Sequence, residues 1–307
     1  MAANHTNHYT TETADTEGDA KSKNMQREIF HAAAFLHHSY VMWYAASYVD
    51  VSNTTDHYVR LTFGPLAWRF FSGWTFAMQI LFLTLAVLED SLQLCLSVDM
   101  TKLRLQIAKF NNYLFVTFVI PVSLATALVF WTVYAVDREL IFPSSFDPLV
   151  GRWLNHGVHT HILLVALLEL ILNKHSYQST SLAMRDLGMF LAIYDLIFLY
   201  THFVEGIWLY PIYAAMSTWL ERILFMAYGH LSVLGFFFLG KFLNTFLWDG
   251  HKKEVLAVDS LAFADNIALN RWIQQQFRSV ASEKTGSQSV SSSVIGENRV
   301  LHQHQRR

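Results

Sequence analysis

The sequence predicts an all-α membrane protein, a bundle of about six transmembrane helices between polar, largely disordered termini. Three observations carry this. Of 307 residues only 15% are charged, against about 25% in a soluble domain, while 53% are hydrophobic and 15% aromatic. The mean hydropathy is positive although both ends are visibly polar, so the middle must be far more apolar than the average. That middle also divides into runs of roughly 20 apolar residues, the length a helix needs to cross about 30 Å of hydrocarbon with its backbone polar groups satisfied internally.

Residues 1–29 are rich in Thr, Asn, Asp and Glu with no apolar period, and are expected to form a disordered cytoplasmic tail. Residues 30–249 are expected to hold the six spans, at about 30–49, 69–88, 113–136, 154–173, 187–210 and 219–245. The first is interrupted by His31, His37 and His38, whereas Tyr113 to Val136 carries no charge at all. Pro121 in that third span predicts a kink, its missing N–H being tolerable inside a bundle. Beyond Trp248, the residues Leu269, Trp272, Ile273, Phe277 and Val280 recur at helical spacing and predict an amphipathic helix over 250–281. The Ser-rich residues 282–307 are expected to be disordered.

Charge placement sets the expected orientation. With six alternating spans, 17 Lys and Arg fall on the side of the termini and 5 on the other, which places both termini in the cytoplasm. Trp43, Trp68, Trp74, Trp131, Trp153, Trp208 and Trp219 fall near span ends on the opposite side, as interfacial tryptophans do. The expected location is an endomembrane or the plasma membrane. A net charge of −2 without a basic block excludes nucleic acid as a partner, and the single Cys95 excludes a disulfide or Cys-metal framework.

Ionisable and polar groups inside a bilayer are costly, so each is a candidate for function. The densest run is Trp153-Leu154-Asn155-His156-Gly157-Val158-His159-Thr160-His161, in which His156 and His159 at i, i+3 are expected to share a helix face. Spacing leaves three readings of it open: a general base, a metal or haem site, or interfacial hydrogen bonding. In the second span Ser72, Thr75 and Gln79 form one stripe. Taking helix starts near 69 and 154, Ser72 lies about 4–5 Å and His159 about 7–8 Å into their helices, so hydroxyl and imidazole meet if those helices are neighbours. Otherwise Ser72 bonds its own i−4 carbonyl. Glu169, Asp195, His202 and Glu205 are further intramembrane groups, and Glu169, about 15 Å beyond His159, is too deep to orient it. Asp137 and Glu139 offer a third acid only if the Asp137-Arg138-Glu139 loop is not simply solvated.

The stretch Phe130 to Pro143, followed by Trp153-Leu154-Asn155-His156-Gly157-Val158-His159-Thr160, resembles the androgen-induced / androgen-dependent TFPI-regulating protein family (FAR-17a-like) of multipass membrane proteins. Gly206-Ile207-Trp208-Leu209-Tyr210-Pro211 and Leu239-Gly240-Lys241-Phe242-Leu243-Asn244 also match, and the likeness covers about residues 65 to 249. The resemblance implies hydrolysis of fatty acid esters of hydroxy fatty acids (FAHFA) by an atypical threonine hydrolase without cofactor or metal. It places His159 at the catalytic histidine. The family's threonine stands seven residues before a glutamine, and seven before Gln79 is Ser72, which keeps the hydroxyl; Thr75 is the fallback nucleophile. Asn155, His156 or backbone N–H groups at a helix start are candidates for orienting the base or stabilising an oxyanion, and Gln79, His202, Glu205 and Trp208 for lining the substrate path. The competing readings are a metal or haem protein built on His156, His159, His202 and His37 or His38, and a non-catalytic scaffold or transporter.

Overall fold

The computed structural model describes residues 3–93 and 98–248. The expected helix at 250–281 and the tail at 282–307 lie outside the described residues. Ten α-helices follow in order: α1 (Ala3–Tyr48), α2 (His57–Phe63), α3 (Phe71–Gln93), α4 (Val98–Leu114), α5 (Ile120–Val136), α6 (Arg152–His159), α7 (His161–Leu172), α8 (Thr180–Glu205), α9 (Pro211–Ala215) and α10 (Trp219–Trp248). No strand occurs among the described residues.

Among the described residues, five helical stretches are long and apolar enough to cross a membrane: Phe71–Gln93, Thr101–Val136, Arg152–Leu172, Thr180–Glu205 and Trp219–Trp248. The chain is a multi-pass membrane protein. The count is five, not six, because α1, which contains the expected span 30–49, lacks a sufficiently apolar window. The backbone is helical from Ala3, extending the anchored part of α1 toward the N-terminus, where propagation is cheap once a helix is nucleated.

The anchors are polar and partly or fully buried. Arg27 reaches Asp90 at 2.9 Å and Gln93 at 3.0 Å, and His31 lies between Asp90 at 2.6 Å and Glu169 at 3.0 Å. His175 stands 3.2 Å from the second Glu169 oxygen, so one carboxylate joins α1, α7 and the turn after it. Higher in α1, His38 bonds Gln79 at 2.7 Å, and the Gln79 amide donates to the Ile162 carbonyl at 2.8 Å. Arg27 Nε has no hydrogen bond among the described residues and His175 Nε2 meets Glu169 only at ion-pair distance; the other buried polar atoms in this chain of contacts find partners, which is the condition for keeping such groups out of water. Gly157 of α6 permits the close approach of α1: a Cβ there would meet the Val41 methyls at 3.3 and 3.4 Å.

Local chemistry explains the other helix bounds. The chain from α4 to α5 is continuous through a π-helical turn, Phe115–Val119, in which the Ile120 N–H reaches the Phe115 carbonyl. Pro121 follows at once, so the predicted disturbance takes the form of a widened turn that accommodates its missing donor. The fourth span is two helices, α6 and α7, divided at Thr160. The fifth stops at Glu205, short of the expected 210, because Gly206 adopts φ +74°, a left-handed cap open to glycine, and Pro211 starts a new helix.

Packing centres on α3 and α5. Helix α3 contacts α1, α4, α5, α6 and α7, and α5 contacts α6 and α7. The buried core runs through Phe82, Leu83, Phe115, Ile120, Ala166 and Leu170. Helices α8 and α10 are apolar outside as well as inside, with Leu196, Phe203, Leu220, Leu231, Phe242 and Phe246 exposed. Hydrocarbon makes no demand for a polar outer face, so this is the pattern of helices that meet lipid.

Candidate active site

A cavity of about 130 Å³ lies among α3, α5, α6, α8 and α10, lined by Ser72, Thr126, His159, Asp195 and His230 among walls that include Phe71, Phe130, Phe198 and Met226. Ligand sites commonly show this balance of apolar wall and few polar groups.

Ser72 is the second residue of α3. Its hydroxyl makes no hydrogen bond among the described residues. The i−4 carbonyl that would have occupied it, that of Trp68, instead accepts the Trp74 indole N–H at 2.9 Å. Helix starts leave backbone N–H groups without intrahelical partners. Here the Phe71 N–H donates to the Tyr210 hydroxyl at 2.8 Å and the Trp74 N–H to the Phe70 carbonyl at 3.2 Å, while those of Ser72 and Gly73 have no partner among the described residues.

His159 closes α6 and is buried against Phe130, ring centroids 3.5 Å apart and 10° from parallel. Its Nδ1 faces two acceptors, the Asn155 side-chain oxygen at 2.8 Å and the Asn155 carbonyl at 3.1 Å. Nδ1 therefore carries the proton, and the neutral ring keeps its lone pair on Nε2, which has no hydrogen bond among the described residues. Asn155, itself buried, acts here as the group that orients the ring.

The level of the two groups follows from contacts between helices. Thr75 of α3 and Thr126 of α5 bond at 2.8 Å. Ser72 precedes Thr75 by three residues, about 4.5 Å toward the end where α3 begins, and Phe130 follows Thr126 by four, about 6 Å toward the same end. With His159 stacked on Phe130, hydroxyl and imidazole share a level to within about 2 Å for roughly antiparallel helices. Contacts of α3 with both α6 and α7 supply the adjacency that the sequence left open.

Besides Asp195, the remaining expected residues do not line this cavity. Thr75 is 1% exposed; its hydroxyl donates to the Phe71 carbonyl at 2.9 Å, so it is the Thr126 hydroxyl that donates to Thr75. His156 does not share the buried face of His159: it is exposed, bonded to Thr160 at 3.0 Å and stacked on Trp131. The reason is that the i, i+3 offset leaves the two rings about 60° apart, enough to separate the inside of a bundle from its rim. Gln79 is locked between His38 and Ile162. His202 stacks on Trp208 at 3.6 Å beneath Arg222, and Glu205 pairs with Arg69 at 3.2 Å, all on the rim of the bundle. Asp137 caps the turn at Glu139, and Arg138 pairs with Asp147 at 2.7 Å, the solvated-loop arrangement. The histidines that a metal or haem reading needs together have separate hydrogen-bond or stacking partners, and His37 lies 2.9 Å from His161 with its ring edge-on to His38. No three His, Cys, Asp or Glu converge as metal ligands among the described residues.

Three wall residues went unassigned in the sequence. Thr126 looks like any apolar-helix threonine. Tyr210 closes the expected fifth span as one aromatic residue among many and in the structure lies beyond α8; burial pushes its phenol up to about 12, so it stays protonated beside the Phe71 N–H. His230 carries the signal that singled out Asp195, an ionisable side chain in mid-span, and the two are paired at 3.1 Å.

Fold and site together define a multi-pass α-helical membrane protein whose bundle holds a mainly apolar cavity with the Ser72 hydroxyl and two imidazoles on its wall. The sequence model of the FAR-17a/AIG1-like proteins matches residues 27–245, and the chain belongs to that family. It is similar to the androgen-dependent TFPI-regulating protein of Mus musculus, 32% identical over 171 residues, 56% of this chain and 73% of the relative. It is also similar to the androgen-induced gene 1 protein of Homo sapiens, 28% identical over 190 residues, 61% of this chain and 79% of the relative. No solved structure matches the chain.

Proposed function

We propose that this protein hydrolyses lipid esters within the membrane, its substrates being fatty acid esters of hydroxy fatty acids, with Ser72 as nucleophile and His159 as general base. The observation that carries the reading is that both side chains line one apolar cavity. His159 Nε2 takes the Ser72 proton as Oγ attacks the ester carbonyl. The oxyanion that develops lies at the start of α3, where the free N–H groups of Ser72 and Gly73 and the positive end of the helix dipole favour negative charge. The imidazolium returns its proton to the leaving alkoxide, freeing the hydroxy fatty acid and leaving an acyl-serine. Water then gives a proton to His159 and its oxygen to the acyl carbon, releasing the fatty acid and restoring Ser72. The acyl chains stay against the apolar wall throughout.

The test is turnover of a branched fatty ester by the purified protein in lipid nanodiscs. Loss of general base catalysis typically costs about 10²–10⁴-fold, so His159→Gln and Ser72→Ala should fall by that range or more. Ser72→Thr, which keeps the hydroxyl, should retain turnover. Full activity in His159→Gln would refute the mechanism, and a wild type that neither turns over ester nor reacts with a serine-hydrolase probe would favour the scaffold reading.

A further inference from the structure

The cavity wall holds a second imidazole that the proposed reaction does not use. His230, midway along α10, places Nε2 3.1 Å from Oδ1 of Asp195 on α8. Both line the cavity, and both side chains are only partly buried, at 31% and 23% exposed. Neither His230 Nδ1 nor the second Asp195 oxygen has a hydrogen bond among the described residues. The pair also stands near the reacting level: Tyr194, the neighbour of Asp195, packs its ring on Phe71 at 4.7 Å and on Trp74 at 5.7 Å, the residues that bracket Ser72.

We propose that Asp195 and His230 form a subsite for a free carboxyl group of the substrate. This rests on the hydrolase reading and deepens it, since an ester of a hydroxy fatty acid carries one ester and one carboxyl. A carboxyl entering an apolar cavity forfeits its hydration unless a partner meets it. With Nε2–H held by Asp195, Nδ1 is the remaining group on the ring. A neutral ring accepts the O–H of a carboxylic acid there, and a protonated ring donates to a carboxylate. The two forms are one hydrogen bond with its proton in different places, so the contact survives whichever partner holds the charge. A methyl ester has no proton to give the neutral ring, and to a protonated ring its carbonyl offers only a neutral acceptor, weaker than a carboxylate. Its oxygen faces the nitrogen lone pair of the neutral ring. Asp195 thus positions the imidazole, and the imidazole selects esters that end in an acid.

The experiment reads binding, not turnover, and so is independent of Ser72 chemistry. A long-chain ether in which the cleavable ester is replaced is prepared as the free acid and as its methyl ester. Equilibrium binding of each is measured to the full chain in nanodiscs. A hydrogen bond to a charged group supports a preference of roughly tenfold or more for the acid. In His230→Leu and in Asp195→Asn that preference should collapse toward one while affinity for the methyl ester stays unchanged, which also reports that each variant is folded. Equal affinities in the wild type, or a preference that survives both substitutions, would overturn the subsite. Failure of the hydrolase reading would appear separately, in the ester assay.

Discussion

Replacing Asn155 by leucine separates orienting a base from being one. In the structure the His159 Nδ1–H has two acceptors, the Asn155 side-chain oxygen at 2.8 Å and the Asn155 carbonyl at 3.1 Å. Leucine is close in volume and removes only the first. The backbone carbonyl still holds the proton on Nδ1, and Phe130 still stacks on the ring at 3.5 Å, so the tautomer persists while the ring is held less firmly. A hydrogen bond of this kind is worth about 0.5–1.5 kcal/mol net. At about 1.36 kcal/mol per decade of rate, kcat should fall about 2- to 13-fold. His159→Gln, which removes the base itself, should fall far further. Turnover of the branched ester under saturating substrate, with each variant's thermal melt recorded alongside, gives both numbers. A loss in Asn155→Leu as deep as in His159→Gln would refute the orienting role and make the amide a direct contact of the reacting ester.

Two further outcomes follow from buried hydrogen bonding. Thr75→Val leaves the Thr126 hydroxyl without its acceptor, which should lower stability by about 1–3 kcal/mol while activity per folded molecule persists; a specific activity lost with an unchanged melt would make Thr75 the nucleophile. Glu169→Leu removes the carboxylate shared by His31, His175 and Asn173 and should cost about 3–5 kcal/mol, read as a lower unfolding midpoint in the nanodisc; an unchanged midpoint would show that the cluster does not hold α1 to the bundle.

Much of this architecture was legible in the residues. Runs of about 20 apolar residues leave a helix as the natural way to cross hydrocarbon, so the spans beginning near 71, 152 and 219 emerged with small errors at their ends. The errors have local causes: Gly206 stops α8 because its φ is open to glycine, and Thr160 divides α6 from α7. The first helix departed furthest. Its polar residues read as a weak span, whereas Arg27 is half-buried and His31 and His38 are buried because Asp90, Glu169 and Gln79 wait for them on other helices. A sequence displays the cost of such groups and not the partner that offsets it.

For the candidate site, the division is similar. Composition and spacing alone determined that this chain is a helical membrane protein, and the Trp153 to Thr160 run with Ser72 marked candidate groups, because apolar length and rare intramembrane polar residues are properties of the chain itself. Tertiary packing decided the rest. It put α3 beside α6, so that Ser72 and His159 open onto one cavity; it spent Thr75, Gln79, His156 and His202 on other contacts; and it brought His230 to Asp195 across 35 positions of sequence. Those outcomes depend on which helix faces which, and helices of like apolarity do not encode their neighbours in any local pattern.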